Sequence, residues 1–195
     1  NTWNGVTSAG VNAAFVGESV ASADASPTVG QVQITPLKAT AWVFGSFESI
    51  DDSDLGTQLP AMFADGKDRL EESVFATGTG TTVPLGAVTQ ATTGNTAAAT
   101  AYAVADVYTL QARLGPRFRN SGNVAWVANL AYLNRTRQFD TAGGSSFWAN
   151  LGQDTPERLL GKPIYESSSM SSGTASASKV LLFGDFQQYI ICDRI

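Results

Sequence analysis

The chain has 195 residues and a formal net charge of -5, with 43% hydrophobic residues, 15% charged residues, one cysteine and no histidine. The length indicates one domain or little more, and the missing histidine excludes a Ser-His-Asp triad, a Cys-His pair and an HExxH zinc site. The single cysteine excludes an internal disulfide, and no run of about 18 apolar residues is present to cross a membrane. The sequence therefore predicts no catalytic residues, no metal and no cofactor.

Residues 11–47 have the pattern of an extended arm. Val32 and Ile34 alternate with polar residues, and the same period of two continues through residues 39–43, which predicts a strand there. The small and turn-forming residues 21–30 lie between two strand-like runs and predict a soft tip. A two-stranded hairpin alone is marginally stable in water, so we expect a neighbouring copy to support the arm.

A long helix is predicted from the acidic residues 51–54 to about Thr77. The acids favour the positive end of the helix dipole, and Pro60 predicts a kink or a later start. One apolar stripe follows this helix and consists of Leu55, Leu59, Met62, Phe63, Leu70 and Val74. Glu71 and Glu72 are adjacent, so their side chains diverge and they make a poor acid–base pair.

Residues 77–86 are rich in glycine. They follow a helix, and Val83 occupies the third glycine position of a dinucleotide fingerprint, so a helix stop and chain reversal is predicted instead of a phosphate-binding loop. Downstream, residues 104–114 predict an amphipathic helix that ends at Gly115.

The last part of the sequence predicts both strands and helices. Residues 123–128 indicate a buried strand and residues 129–139 a helix with Leu130 and Leu133 inside. Further predictions are a loop over residues 140–153, a turn into a strand over residues 159–165, a loop over residues 167–178, and a last strand over residues 179–194 that is broken by a Gly-Asp pair and contains Cys192 as a core thiol. The fold class is therefore α+β with a protruding arm.

The charges are distributed unevenly. Residues 1–55 contain six acids and one base, whereas the segment from residue 113 to residue 137 contains five arginines and no acid. A solvated basic face and a nucleic-acid patch are two readings of the arginines, although a pI near 4.6 argues against the second. In a third reading, the acidic arm of one copy meets the arginines of another. The candidate interface residues are Glu18, Asp24, Lys38, Arg117, Arg119, Arg135 and Arg137.

Four segments, in order, carry a resemblance. Residues 34–53 run from a strand into an acidic helix start, and residues 72–86 end a helix with Gly-x-Gly and Pro-x-Gly. Residues 123–133 are a buried strand followed by a helix, and Leu-Gly-Lys-Pro-Ile-Tyr at 160–165 is paired with Leu-Phe-Gly-Asp-Phe-Gln-Gln-Tyr-Ile-Ile-Cys-Asp-Arg at 182–194. Together these segments resemble the major capsid proteins of tailed bacteriophages with the Hong Kong 97 fold, the phage capsid family.

The resemblance implies a Hong Kong 97-like fold with an extended β-hairpin loop, a long spine helix, a peripheral domain and an axial domain. On this sequence the extended loop is residues 1–45, the peripheral domain is residues 46–97 with 179–195, and the axial domain is residues 98–178. Relatives usually have an amino-terminal arm before the loop and more strand after the Asp-Arg ending. We therefore expect this sequence, which begins without methionine, to be a fragment.

Some relatives join their subunits by a Lys–Asn isopeptide bond, with the lysine on the extended loop. Here the only lysine before residue 67 is Lys38, at the base of the loop. We therefore expect no such bond.

The resemblance implies a non-enzymatic shell protein of the virion. Copies would assemble through pentamers and hexamers, in the host cytoplasm, into an icosahedral head that encloses double-stranded DNA without sequence-specific binding. Scaffolding, protease and portal proteins are the further partners implied, and no membrane is involved. The alternatives are a bacterial encapsulin-type nanocompartment shell and a non-catalytic ligand-binding module. The module would use Trp3, Trp42, Trp126 or Trp148, but Trp42 and Trp126 lie in strand patterns and are expected in the core.

Overall fold

The computed structural model describes residues 2–8, 10–46, 55–97, 102–139, 158–173 and 178–193. The chain divides into two compact units, one of Asn1–Lys38 with Ile191–Ile195 and the other of Ala39–Ile190. Helices and strands are both present, as the sequence predicts. The finer division into an extended loop, a peripheral domain and an axial domain stays a prediction.

The first unit contains a two-stranded antiparallel sheet. Strand β1, Trp3–Ser8, pairs with strand β2, Val29–Ile34, along their whole length. The arm is therefore a hairpin, but the predicted strand-like run before residue 21 is wrong. Gly10 and Ser19 have φ angles of 83° and 69°, and these left-handed conformations interrupt an extended chain. The connection between the strands is consequently longer than the predicted tip.

The predicted strand over residues 39–43 is also wrong. None of the described strands pairs with this segment, and the side chains of Trp42 and Phe44 are 82% and 94% exposed. Alternation of apolar residues indicates which face of a strand would be buried, but a strand also needs a hydrogen-bonded neighbour. The expectation that Trp42 lies in the core is therefore wrong.

Helix α1 spans Leu55–Thr77, in agreement with the predicted end of the long helix. Pro60 lies inside it, so the predicted later start is wrong. Pro60 is the sixth residue of the helix, so its missing N–H removes one hydrogen bond, which would otherwise reach the carbonyl of Gly56, without ending the helix. The predicted acidic start at residues 51–54 lies outside the described residues.

The glycine-rich segment after α1 reverses the chain, as predicted. The N–H of Gly86 donates to the carbonyl of Gly78 at 2.9 Å, and both glycines are buried. A Cβ atom at Gly78 would lie 2.1 Å from the carbonyl oxygen of Pro84, so only glycine allows this close approach. The short helix α2, Ala87–Gln90, follows directly.

A four-stranded sheet forms the centre of the second unit. Its strands are β3, Val124–Ala128; β4, Arg158–Leu159; β5, Lys162–Glu166; and β6, Leu181–Asp185, in the order β4-β5-β3-β6. Strand β3 pairs parallel with β5 and antiparallel with β6. Between β4 and β5, Leu160 and Gly161 both have positive φ angles, as a tight two-residue hairpin turn requires.

Three helices of the second unit precede or follow strand β3 in the sequence. Helix α3 is Val104–Arg113, helix α4 is Pro116–Arg119 and helix α5 is Leu130–Gln138. The predicted helices over residues 104–114 and 129–139 are confirmed. Leu133 is buried as expected, but Leu130 is 43% exposed, so its predicted burial is wrong. Leu130 opens its helix, where its side chain lies beyond the edge of the packed face.

Trp126 on β3 is the centre of the hydrophobic core. Its side chain is fully buried, its indole N–H donates to the carbonyl of Leu159 at 3.0 Å, and its ring stacks on Phe183 at 4.1 Å. The prediction that Trp126 belongs to the core is confirmed. The other buried members of this core are Val107, Ala128, Tyr132, Leu133, Leu159 and Ile164.

A polar network closes one side of this core. The hydroxyl of Thr136 donates to the carbonyl of Tyr132 at 2.7 Å, so the 2.9 Å contact between Thr136 and Tyr102 uses the proton of the Tyr102 phenol. Burial raises the pKa of Tyr102 above its usual value of 10.0. Burial of the Tyr102 ring therefore favours the neutral phenol.

The last predicted strand is only partly confirmed. Strand β6 ends at Asp185, whose carboxylate accepts a bond from the N–H of Gln187 at 3.0 Å and caps the 3-10 turn Phe186–Gln188. No strand follows among the described residues up to 193. Cys192 is partly exposed and lies outside any strand, so its interpretation as a core thiol is wrong.

Replacing Trp126 with phenylalanine should destabilise the second unit. The ring contact with Phe183 would be largely kept, but the buried carbonyl of Leu159 would lose its donor, which costs about 1–3 kcal/mol. Chemical denaturation measures this loss. The matched control is Trp42→Phe, because the exposed Trp42 should change stability by less than about 0.5 kcal/mol. Equal losses in the two variants would contradict this assignment of the core.

The raised pKa of Tyr102 predicts a loss of stability at alkaline pH. The contribution of the neutral phenol is fully present below its unfolded-state pKa near 10.0 and is lost as the pH rises through the higher folded-state pKa. Tyr102→Phe should cost about 1 kcal/mol at neutral pH because one hydrogen bond is lost. It should then lose less stability than the wild type above pH 10.0, as thermal unfolding over a pH series would measure. Parallel curves would be evidence against the proposed role of Tyr102.

Candidate subunit interface

Helix α1 exposes its apolar stripe. Among its 23 residues none is buried, and the side chains of Met62, Phe63 and Leu70 are 58%, 41% and 48% exposed. An amphipathic surface helix normally packs its apolar face against the core of its own domain. Contiguous apolar surface that stays exposed is typical of a protein–protein contact.

The polar residues of α1 are paired along the helix. Lys67 contacts Glu71 at 3.0 Å, and Arg69 contacts Asp65 in a second pair of the same spacing. Glu72 points elsewhere and accepts a hydrogen bond from the hydroxyl of Ser168 at 2.9 Å. The prediction that Glu71 and Glu72 diverge is therefore confirmed.

Tyr189 fixes the carboxyl-terminal end of α1. Its hydroxyl contacts the carbonyl oxygens of Phe75 and Leu85 at 3.2 and 3.0 Å, and burial raises its pKa. The hydroxyl of Thr89 also donates to the carbonyl of Thr77 at 3.0 Å. These side chains satisfy carbonyls of the last turn, which have no intrahelical donor.

Lys179 binds the carboxyl-terminal end of the adjoining helix α2. Its ammonium group donates to the carbonyls of Val88, Thr89 and Ala91 at 2.8, 3.1 and 2.6 Å. All three ammonium protons therefore have an acceptor at the negative end of this helix. Sequence reasoning treats Lys179 only as the start of a strand, and no local pattern shows that its acceptors lie about ninety residues earlier.

Two of the arginines lie on α4. Proline at the first position, after Gly115, starts this short helix. Arg117 is exposed, with its guanidinium carbon 6.0 Å from the ring centre of Phe118, and Phe118 is itself 47% exposed. Arg119 is half-buried. Helix α4 therefore presents an aromatic ring between two cationic side chains.

The other two candidate arginines lie in the last turn of α5. Arg135 and Arg137 are both half-buried, and a guanidinium nitrogen of Arg137 donates to the side-chain carbonyl of Asn134 at 2.7 Å. Cations in this position interact favourably with the negative end of the helix dipole. The four candidate arginines thus lie as two pairs on two helices.

The candidate residues of the arm lie in the first unit. Glu18 is exposed in the connection between β1 and β2. Asp24 accepts bonds from the hydroxyl and the N–H of Ser26 at 2.6 and 2.8 Å, and these bonds lower the pKa of its carboxyl group. Lys38 is exposed and borders a cavity of about 300 Å³ together with Pro36, Leu37, Cys192 and Asp193. Both arm carboxylates are therefore accessible to solvent.

Metal-ligating clusters and membrane-spanning helices are both absent from the described parts of the chain. No group of three or more Cys, Asp or Glu side chains there is arranged to hold a metal ion. None of the helices described has the length and apolar composition needed to span a bilayer.

Two solved capsid structures are similar to this chain. The chain is similar to the capsid of a native GTA particle, with a TM-score of 0.78, and to the capsid of an empty GTA particle, with a TM-score of 0.77. In both cases the sequence identity is 25%, and the match covers 95% of this chain and 68% of the other chain. Both capsids are described as computed with C5 symmetry, and no curated protein matches the sequence. Because residues 1–195 match the family profile throughout, the chain belongs to the phage capsid family.

Proposed function

We propose that this chain is a non-enzymatic shell subunit that assembles with copies of itself into an icosahedral head enclosing double-stranded DNA. Membership of the phage capsid family and likeness to capsids of phage-like particles support a structural role. The observation that carries the proposal is the exposed apolar stripe of α1. A helix of 23 residues with no buried side chain obtains little stabilisation from its own chain.

The chain offers further surface for contacts between copies. Trp42 and Phe44, which follow the paired strands β1 and β2 in the sequence, are almost fully exposed. The two-stranded sheet itself has marginal intrinsic stability. Contacts that join different surfaces of two copies generate closed rings when the rotation between them closes. An arm that reaches a neighbouring subunit fits this type of contact, and pentamers and hexamers are the rings proposed.

Electrostatic complementarity is proposed to set the register of these contacts. Glu18 and Asp24 lie on the arm, whereas Arg117 and Arg119 lie on α4 in the second unit. Opposite charges on two different surfaces of one chain attract the corresponding surfaces of two copies. Arg135 and Arg137 extend the basic side, and Lys38 is proposed as a contact at the base of the arm.

DNA is proposed to be contained and not gripped. Tight sequence-independent binding to DNA needs many Lys and Arg contacts with phosphates, and this chain has a net charge of -5. The same proposal includes a location in the virion, assembly in the host cytoplasm, and scaffolding, protease and portal proteins as partners.

The principal alternative is an encapsulin-type shell around an enzyme cargo. It uses the same subunit contacts and differs only in the contents. A ligand-binding module that uses its tryptophans is less favoured. Trp42 is exposed, but Trp126 is fully buried against Phe183, and the family match supports a shell subunit.

Electron microscopy of the purified, negatively stained full-length protein tests the proposal. Closed shells or ring-shaped capsomers are expected, because the exposed apolar surfaces would be covered by neighbouring copies. Nuclease treatment followed by an absorbance spectrum of the particles distinguishes protected DNA from a protein cargo. A protein that stays monomeric at high concentration would overturn the assembly proposal.

Reversing the charges of Arg117 and Arg119 to glutamate should impair assembly more than folding. Both residues lie on a short surface helix, so each substitution should change stability by less than about 0.5 kcal/mol. Facing acidic residues on a neighbour would then repel the variant surface. Sedimentation velocity measures the assembled fraction, and circular dichroism measures the fold.

Two matched variants sharpen this experiment. The Lys replacements R117K and R119K keep the charge and should assemble. Combining the two reversals with Glu18→Arg and Asp24→Arg should restore assembly, because the complementarity is then exchanged between the two surfaces. Normal shells from the double reversal alone would rule out the arginine contact.

A further inference from the structure

The two faces of the arm differ in chemistry. In the register of β1 and β2, Trp3 lies opposite Ile34 and Gly5 lies opposite Val32, and these four residues share one face of the sheet. The other face alternates with it and contains Asn4, Val6 and Ser8 opposite Gln33, Gln31 and Val29. The first face is thus apolar at its Trp3 end and carries Thr7 opposite Gly30 at its other end, whereas the second is mostly polar with two valines.

Trp3 organises the apolar face. A Cβ atom at Gly5 would lie 2.3 Å from an outer carbon of the Trp3 ring, so the indole lies along β1 directly over Gly5. Gly5 is consequently buried, and the ring reaches the position opposite Val32. Only a glycine leaves room for an indole in this orientation. Trp3, Val32 and Ile34 therefore form a flat apolar patch, which we call the Trp3 face.

The Trp3 face is packed but incompletely covered. Trp3 and Val32 are 38% and 45% exposed, and Ile34 is half-buried. On the opposite face Val6 and Val29 are 78% and 67% exposed. These two valines are diagonal neighbours across the two strands, and each lies directly opposite a polar residue, Gln31 or Ser8. A packed patch around an aromatic residue is the usual composition of an interface centre.

We infer that the Trp3 face is the side of the arm that packs against a second copy of this chain. The inference rests on the proposed function, since it names which side of the arm makes the contact. Charge complementarity identifies the partner as another copy: the arm contains the exposed acids Glu18 and Asp24, and α4 presents Arg117 beside the half-exposed Phe118. The polar face then stays towards solvent.

Two valines on opposite faces make a matched pair for a test. Val32→Lys places a charge on the Trp3 face, and Val6→Lys places the same charge on the opposite face of the same hairpin, near the middle of the other strand. The full chain of each variant would be purified, its assembled fraction measured by light scattering after size exclusion, and its fold checked by circular dichroism. Val32→Lys should lower the assembled fraction about tenfold or more, whereas Val6→Lys should change it less than about twofold.

A second pair keeps the test decisive if a lysine disturbs the hairpin. Val32→Thr and Val6→Thr retain a β-branched side chain, so both should preserve the strands. The same difference in assembly between the two faces is expected, with a smaller magnitude. Equal assembly of the Val32 and Val6 variants, alongside a wild type that assembles, would overturn this inference and leave the proposed function standing. A wild type that never assembles would overturn both.

Discussion

The indole of Trp126 is the interaction on which the second unit depends. It occupies the middle of β3, bonds the carbonyl of Leu159 at the turn between β4 and β5, and stacks on Phe183 of β6. One side chain thereby links three of the four strands of the sheet, including strands that are far apart in the sequence. Helices α3 and α5 then add Val107 and Leu133 to the same core. The arginines on α4 and α5 are thus presented from a well-packed support.

Helix α1 has the opposite character, because its anchors are polar and lie at its carboxyl-terminal end. The hydroxyl of Tyr189 contacts the carbonyls of Phe75 and Leu85, and Lys179 binds the adjoining α2. By contrast, Met62 in the first half of α1 is largely exposed. The subunit therefore combines a rigid sheet with a helix whose apolar stripe is available to other molecules. Such a division of roles suits a structural protein of the phage capsid family.

The sequence predicts elements that satisfy their own hydrogen bonds better than elements that need partners. The apolar period of α1 is such a local signal, and the helix is found where expected. Strand β3 needs partners, but it is also found where expected, because a strand covered on both faces is apolar throughout. The segment around Trp42 shows the limit, because its alternation is strand-like but no described strand pairs with it. The position of β1 depends on its register with β2, which the pattern of either strand alone does not determine. Likewise, the sequence does not show the hydrogen bonds of Lys179 or the position of the Trp3 ring over Gly5, because both depend on contacts that form only in the folded chain.

The three hydrogen bonds from Lys179 to carbonyls at the end of α2 affect how the stability of this chain responds to ionic strength. The ammonium charge of Lys179 is balanced by three carbonyl dipoles and not by a carboxylate, at distances too short for mobile ions to enter. The proposed attraction between the acids and arginines of two copies is different, since charges at a protein surface are screened over roughly 8 Å at physiological salt. Salt should therefore weaken the proposed association of copies. The contact between Lys179 and the end of α2 inside each copy should stay intact. Dissociated copies would keep their fold and stay competent to associate again when the salt is removed.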